Sequence, residues 1–482
     1  MRSCMDKEAA LISPKMLVRA VAAAAALLVA LAVPHRVTAQ GAFYREVVKE
    51  GRIYVFNNMT AYEQFDKGGE MGVAITLLGY GPNGETMVFD SEEAIHLYNF
   101  KHGRPGDPRP QPKPPQGPTV SWKDGATTLL FPGVAQVKIS NRVQLRYTHE
   151  LPDETVQLSG TKEEGDSRGS FRIRRAKFKI DGWFYKPWLL YELQLNWPAV
   201  TTSGNPGAML EDANINWDVT HDKKFMVKFG QYKVPFGRQE LTSSGSQQLV
   251  DRSQVSNAYA RGRDLGLQLW GAAFGNRVEW RAGAFNGNGL TRSTNDNDTF
   301  QYNARIMIQP NGAVPLGSVS GPLFSESDFE STDKPIWAIA ANYEHNDFFR
   351  TTTNVDLKDD IWGFDYVFKY KRFSSVGELF LREREPEPAE PGAAVEKFDS
   401  NGWFLQAGYQ IGKARQWEVV GRYGTFDPSS LVSGNDQREV RGGVNYYHKK
   451  HAFKVQADFG RLENRGTGVK NNEFRLQTQF LF

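Results

Sequence analysis

From Thr119 to Phe482, apolar and polar side chains alternate with a period of two almost without interruption. That period belongs to extended strands, in which successive side chains point to opposite faces. Leu189, Tyr191, Leu193, Leu195 and Trp197 share one face, and Leu190, Glu192, Gln194 and Asn196 share the other. Ala213, Ile215, Trp217 and Val219 oppose Asp212, Asn214, Asn216 and Asp218 in the same way. Trp403 to Ile411 repeats the pattern, and the last segment sets Phe474, Leu476, Thr478, Phe480 and Phe482 against Glu473, Arg475, Gln477 and Gln479. A soluble sandwich would also alternate, with its apolar side hidden. Two features favour lipid instead. The segments run about 9 to 12 residues, the length a tilted strand needs to cross the hydrocarbon. Aromatic residues such as Trp197 and Trp217 fall near segment ends, where interfacial girdles form.

The connections add a third feature, because they alternate between short and long. Lys186-Pro187, 220–224, Lys371-Arg372, Gly412-Lys413 and 448–450 read as tight turns. The stretches 148–170, 198–210, 235–263, 287–299, 345–359, 384–400, 427–436 and 463–471 read as longer, polar loops. The segments number about sixteen, and bacterial membrane barrels have even counts, with both chain ends in the periplasm and the longer loops outward. One connection breaks the rhythm: 310–334 is long but falls on the turn side, as a periplasmic insertion or a miscount. No apolar run after the first 39 residues approaches the length of a membrane helix, and only helices and closed barrels satisfy every backbone group in lipid. The expected fold is all-β: a 16-stranded antiparallel transmembrane β-barrel over 119–482, preceded by a small α+β module.

The leading residues read as a signal for secretion. Lys15 and Arg19 precede an apolar run from Ala20 to Val33, and Val37-Thr38-Ala39 gives small residues at a cleavage site before Gln40. The run is too short for a membrane anchor. The only cysteine, Cys4, lies in this leader far from the cleavage site, so neither a disulfide nor a lipoprotein anchor is expected. The leader also carries the whole charge excess. Removing its five basic and two acidic residues from totals of 58 and 55 leaves 53 of each, so the basic pI gives no reason to expect a nucleic-acid partner.

Residues 104–118, RPGDPRPQPKPPQGP, form a proline-rich spacer with nothing to bury. It divides the barrel from the α+β module at 40–103. There Ile53 to Phe56 reads as a strand, Thr60 to Lys67 as a helix, and Val73 to Leu78 with Glu85 to Phe89 as a hairpin. Ser91 is placed to N-cap a last helix, with Glu92 and Glu93 in its first turn and Lys101 and His102 at its end. Gly79 to Gly84 matches G-x-G-x-x-G, but a dinucleotide site needs a helix to follow, and Glu85 to Phe89 reads as strand.

Several segments resemble the phosphate-selective porin O/P family. They are Phe171 to Gly182 (FRIRRAKFKIDG), Lys186-Pro187-Trp188, Gly230 to Gly237 (GQYKVPFG), Arg263 to Gly266 (RDLG) and Tyr302 to Ile306 (YNARI). The resemblance covers about 119–482 and leaves out the leading module. It implies a 16-stranded, usually trimeric porin whose pore is narrowed by an inward-folded third outer loop and lined by basic residues. Small anionic solutes, outer-membrane lipid and lipopolysaccharide, and the barrel assembly machinery are its implied partners. A C-terminal phenylalanine closing an alternating strand resembles that machinery's sorting signal.

If the polar faces point inward, the basic pore-lining candidates are Arg142, Arg146, Arg174, Arg175, Lys177, Lys179, Lys228, Arg277, Arg281 and Arg305. Asp181, Glu192, Asp212, Asp218, Glu279, Asp365, Asp458 and Glu473 oppose them, so the lumen is mixed. A solvated wall with cross-strand ion pairs is the plain alternative to a selective pore. The third outer loop offers Arg238, Arg252, Arg261 and Arg263, with Lys233 just before it, as a constriction. The guanidinium fork binds phosphate oxygens two at a time and stays charged. The loop's charges are equally compatible with a surface loop that binds nothing. At Arg174-Arg175 the alternation slips phase, which marks a bulge or the true start of the strand. His96, His102, His149, His221, His345, His448 and His451 fall in the module, loops or turns, so no catalytic constellation, metal site or cofactor is expected. The alternatives to an anion pore are a general, sugar-selective or cation-permeable porin, or a barrel whose 41–103 module tethers a periplasmic partner.

Overall fold

The computed structural model describes residues 43–104, 117–152, 167–199, 206–290, 292, 294–311, 321–331, 333–350, 355–386 and 396–482. The leader and most of the proline-rich spacer lie outside them. The chain divides into two compact units, 1–115 and 116–482.

In the first unit, β1 (Arg45–Lys49), β2 (Arg52–Phe56), α1 (Met59–Gly68), β3 (Ile75–Leu77), β4 (Thr86–Phe89) and α2 (Glu92–Lys101) follow one another. The sheet order is β1-β2-β4-β3, with β2 and β4 parallel. Val55, Met87, Phe89, Ile95 and Tyr98 form its core. The Ser91 side chain accepts from the Ala94 amide and caps α2. Gly79 and Gly84 take φ of 69° and 87° in a connection that leads into β4 rather than a helix. The glycine motif is a turn.

The second unit opens with a short hairpin, β5 (Thr119–Lys123) and β6 (Ala126–Phe131). The wall itself begins with β7 (Ala135–Leu151), β8 (Arg168–Phe184), β9 (Leu189–Asn196) and β10 (Leu210–Asp218). Next comes β11 (Met226–Lys233), then α3 (Arg238–Leu241) and α4 (Gln254–Tyr259) within the third long connection. The wall continues through β12 (Arg263–Ala273), β13 (Val278–Phe285), β14 (Gln301–Ile308), β15 (Ile336–Arg350) and β16 (Val355–Tyr370). It ends with β17 (Phe373–Pro386), β18 (Phe398–Ile411), β19 (Trp417–Asp427), β20 (Gln437–Lys449), β21 (Phe453–Asn464) and β22 (Val469–Leu481).

Every neighbour in this wall is antiparallel, and β22 closes it by pairing Asn472–Leu481 with Leu151–Arg142 of β7. Phe482 adds two backbone hydrogen bonds with Asn141. The wall has sixteen strands, the fold the alternation leads to. The hairpin lies outside that count, because β6 borders only Ala135–Ser140 of β7.

Burial is inverted relative to a soluble protein. Along β18, Trp403, Leu405, Tyr409 and Ile411 are 42–48 % exposed on the outside, whereas Gln406 and Gln410 are fully buried inside. Such an outer surface is stable only against lipid. Among the described residues no helix is long and apolar enough to cross a membrane.

Candidate permeation pathway

The lumen is not evenly filled, and the sequence of the third loop explains why. Between β11 and β12 the chain carries Val234, Phe236, Leu241, Val255 and Tyr259, all nearly inaccessible. They pack on wall residues that also point inward, among them Val376, Phe380 and Phe404. The Tyr259 ring stacks on Phe380 with centroids 5.1 Å apart.

The long turn-side connection between β14 and β15 joins this core from the end of the barrel that carries the short turns. Its Leu323 and Phe324 are buried in the same cluster, and its Glu326 binds the loop. The Glu326 amide donates to the Ser246 carbonyl at 3.0 Å. Its carboxylate accepts from the Gln248 amide (2.7 Å), Gln239 Nε2 (3.0 Å) and Gln406 Nε2 (2.9 Å). The break in the loop rhythm is therefore an insertion. Seven apolar side chains of loop and insertion, each contributing about 1.5–3 kcal/mol on burial, hold this half closed. Unfolded-state burial makes their sum an upper bound of order 10 kcal/mol.

The other half stays open. A cavity of about 650 Å³ runs along the inner face of β7 to β13. That is within the roughly 300–1,000 Å³ range of small-molecule sites. Eleven Lys and Arg residues line it against four Asp and Glu. Of the candidates read from the sequence, Arg142, Arg174, Arg175, Lys177, Lys179, Lys228, Lys233, Arg252, Arg263 and Arg281 are on this lining. Lys138 joins them; it shares the inward parity of Ser140 and Arg142 on β7, a signal the sequence reading passed over. At Arg174 the β7–β8 register shifts, Gln144 opposing Arg175 and Leu145 opposing Ile173. The phase slip is thus a bulge within β8, and both arginines border the cavity.

Some of these cations are neutralised. Lys179 pairs with Glu192 at 2.7 Å and Arg263 with Asp212 at 2.9 Å. Arg252 pairs with Glu240 at 3.0 Å and Arg281 with Glu279 at 2.9 Å. Lys177 pairs closely with Glu211, a lining acid the sequence reading did not single out. Others keep their field. Among the described residues, Lys138, Arg142, Lys228 and Lys233 have no carboxylate within ion-pair distance. Arg142 donates to Ser244 Oγ (3.3 Å), and Lys228 lies over the Tyr232 ring at 4.4 Å. Lys233 donates to the carbonyls of Glu240, Leu241 and Thr242, so it also caps α3. Arg142 and Lys177 are directly opposed across β7 and β8, and Lys138 is four residues nearer the turns, about 13 Å along the strand.

Five candidates are elsewhere. Arg238 is 2 % exposed, with Nε on Asp365 at 2.9 Å and Nη1 on the Leu323 carbonyl at 2.8 Å; it fixes the loop to the wall and the insertion. Arg261 binds Glu344 (2.8 Å) and Asp359 (2.6 Å), and Arg305 binds Asp365 from beneath. Arg146 faces the lumen but is spent on Asp251 and Gln477. Arg277 is exposed in the turn before β13, donating to the carbonyls of Pro310 and Phe274. It precedes the strand, so strand parity does not govern it. Position alone cannot separate an anchor from a lining residue, because both point inward. His448 lies against Phe453, and His451 against Phe329 and Ser325.

A closed barrel with an apolar outside, a polar lumen and an inward loop that leaves a water-accessible cavity beside it is a membrane channel of the porin class. Residues 153–482 match the family described as Phosphate-selective porin O and P, and the chain belongs to that family. Family and fold together make it an outer-membrane channel for small solutes. It is similar to the anion-selective porin from Comamonas acidovorans, at 11 % identity and TM-score 0.49, covering 72 % of this chain and 100 % of that one. It is also similar to the outer membrane channel DcaP of Acinetobacter baumannii, at 11 % identity and TM-score 0.49, covering 73 % and 98 %. An uncharacterized protein of Aquifex aeolicus (strain VF5) is 23 % identical over 288 residues, 55 % of this chain. The match spans 66 % of that relative's length.

Proposed function

We propose that this channel passes small anions, inorganic phosphate among them, through the open half of its lumen. The observation that carries the reading is the surplus of cations on the cavity, eleven against four, with Lys138, Arg142 and Lys228 free of carboxylate partners among the described residues. A narrow passage with low-dielectric walls and a one-sided charge raises the local concentration of the opposite ion. The cations lie along several strands, so an anion can move between weak sites rather than settle in one. Lys233, Arg252 and Arg263 form the loop-level part of the lining; Arg238, Arg261 and Arg146 serve it by holding the loop, and Arg305 braces Asp365, the wall carboxylate that Arg238 also binds. Arg277 takes no part.

The test is the reversal potential of the purified protein in a planar bilayer under a potassium chloride gradient. An anion-favouring sign is expected, with chloride current blocked by added phosphate. A cation-favouring sign ends the anion reading. An anion-favouring channel that phosphate does not block remains an anion pore but loses phosphate as a solute. Block by a neutral sugar would favour the sugar-selective alternative. The same reading includes a secretory leader removed after Ala39, three copies per assembly, contact with lipid and lipopolysaccharide, and a periplasmic module at 41–103 with its own partner.

A further inference from the structure

On the outer face of the wall, neighbouring strands β14 to β18 form a groove of about 580 Å³. Ala341 and Gly377 are its small residues, and Ile306, Ile339, Leu379 and Leu405 stand around them, 38–48 % exposed. The Tyr366 ring lies against Gly377, and its hydroxyl shares a hydrogen bond with Ser375 Oγ at 2.7 Å, which fixes the ring as part of the lining. Gly377 is five residues beyond Arg372 of the β16–β17 turn, about 17 Å along the strand. Strands of such barrels tilt by about 35–45°. The groove is therefore in the half of the hydrocarbon nearest the turns, with the turns at headgroup level.

Charge at this end is one-sided. Turns 185–188, 219–225, 274–277, 371–372, 412–416 and 450–452 hold nine Lys and Arg against one acid, Asp222. Loops 286–300, 428–436 and 465–468 at the other end hold two Arg against three Asp. Beneath the groove, Arg372 donates to the Gly412 carbonyl at 3.2 Å and ties the β16–β17 turn to the β18–β19 turn. Lys371, Arg372, Lys413 and Arg415 are thus gathered under one groove. None of the four has a carboxylate within ion-pair distance among the described residues. Asp328 accepts the Arg372 backbone amide (2.9 Å), not its side chain, and Asp333 acts on Lys371 from farther off. Lys371 and Arg372 have φ of 44° and 87°, where a two-residue turn favours Asn-Gly.

We propose, on the lipid contact read above, that this groove and the two turns beneath it seat one anionic phospholipid. Its phosphate meets Lys371, Arg372, Lys413 and Arg415, and an acyl chain fills the recess at Ala341 and Gly377. The two halves select different parts of the molecule. The recess takes a chain whatever its headgroup. The guanidinium forks take phosphate oxygens two at a time. A zwitterionic headgroup brings its own ammonium, which four cations repel, whereas an anionic one brings none. Outer-membrane barrels carry their short turns on the periplasmic side, where the leaflet is phospholipid. A second copy on this face fits less well. Rotation about the membrane normal keeps every turn at its own level, so two basic rims would meet.

The full-length protein in nonionic detergent is titrated with dioleoylphosphatidylglycerol or dioleoylphosphatidylcholine, and native mass spectrometry reads the affinity for the first lipid bound. Each Lys or Arg near an anionic headgroup is worth roughly fivefold. The wild type should prefer phosphatidylglycerol by at least roughly 25-fold, the share of two such cations. Lys371→Asn with Arg372→Gly removes two cations and gives the turn the pair its φ values favour, so the barrel should still fold. That variant's phosphatidylglycerol affinity should fall roughly 25-fold, with phosphatidylcholine unaffected. Ala341→Leu fills the recess without touching charge and should weaken both lipids alike. Equal wild-type affinity for the two lipids, or an unchanged preference in the turn variant, overturns the seat and leaves the lipid contact standing. Displacement of the lipid by an equal concentration of glycerol 3-phosphate, which has no chain, overturns the groove's part. An Ala341→Leu variant with altered oligomeric state and unaltered lipid affinity makes the face a contact between copies and overturns the seat too. A protein that stays dissolved without detergent would instead defeat the lipid contact itself.

Discussion

Replacing Arg238 with glutamine separates an anchor from a pore-lining residue. Arg238 touches no part of the open cavity; its guanidinium joins Asp365 on β16 to the Leu323 carbonyl of the insertion. Breaking a buried ion pair by removing one partner costs about 3–5 kcal/mol. Asp365 retains Arg305 at 3.0 Å and Asn342 at 3.1 Å and so is not left unpaired, which brings the cost to the bottom of that range or just below it, about 2–3 kcal/mol. The loop keeps its other ties, among them Gln239 N to Glu378 at 3.0 Å and the Glu326 contacts. The variant should therefore fold and close, but with its loop undocked roughly 30–150 times more often than in the wild type. Single-channel recording should show frequent excursions to a higher conductance, while the reversal potential keeps its sign. Were Arg238 a selectivity residue, the reverse would hold: steady conductance with a displaced reversal potential. That result would refute the assignment of the sealed half of the lumen.

Three further outcomes follow from the same geometry. Deleting 312–331 removes Leu323, Phe324 and Glu326 from beneath the loop, and should raise single-channel conductance and the size limit for neutral sugars in liposome swelling. Lys138→Glu places an acid opposite Asp181 at the turn end of the passage and should shift the reversal potential toward cations without changing the folded band. In the leading unit, burial raises the Glu46 carboxyl, but Tyr44, His102 and Lys101 outweigh it and hold the group below its ordinary value. A depressed carboxylate stabilises the fold above its unfolded pKa, about 4.3, and loses that contribution as pH falls through the folded value. Amide exchange in β1 should therefore accelerate on acidification below about pH 4.3, and less so in Glu46→Gln.

The fold was legible because a barrel wall is a one-dimensional code. Parity along each segment separates lipid from lumen, and the rhythm of turn and loop gives the strand count. The slip at Arg174-Arg175 could be read for the same reason, since a bulge is a local change of phase. The division of the lumen could not. It depends on which inward residues face loop 234–262 and insertion 321–331, and parity is silent about facing partners. A signal was present in Val376, Phe380 and Phe404, apolar residues at inward positions of β17 and β18. A water-filled lumen gives such residues no reason to be there, so they mark the wall that the loop covers. Arg142 and Arg305 share inward parity, yet one borders the passage and the other is locked to Asp365. Only the loop's position tells them apart.

Cysteine modification during current recording tests the divided lumen most directly, because the sequence has a single cysteine, Cys4, which lies outside the described residues. Lys228→Cys puts a thiol on the open lining, and Ser374→Cys puts one behind the loop, where Ser374 is fully buried against Gln248. A sulfonate-bearing thiosulfonate reagent should cut the current and the anion preference of the first variant and leave the second unchanged. Equal sensitivity at the two positions, or block through Ser374→Cys alone, would contradict the path assigned to the solute.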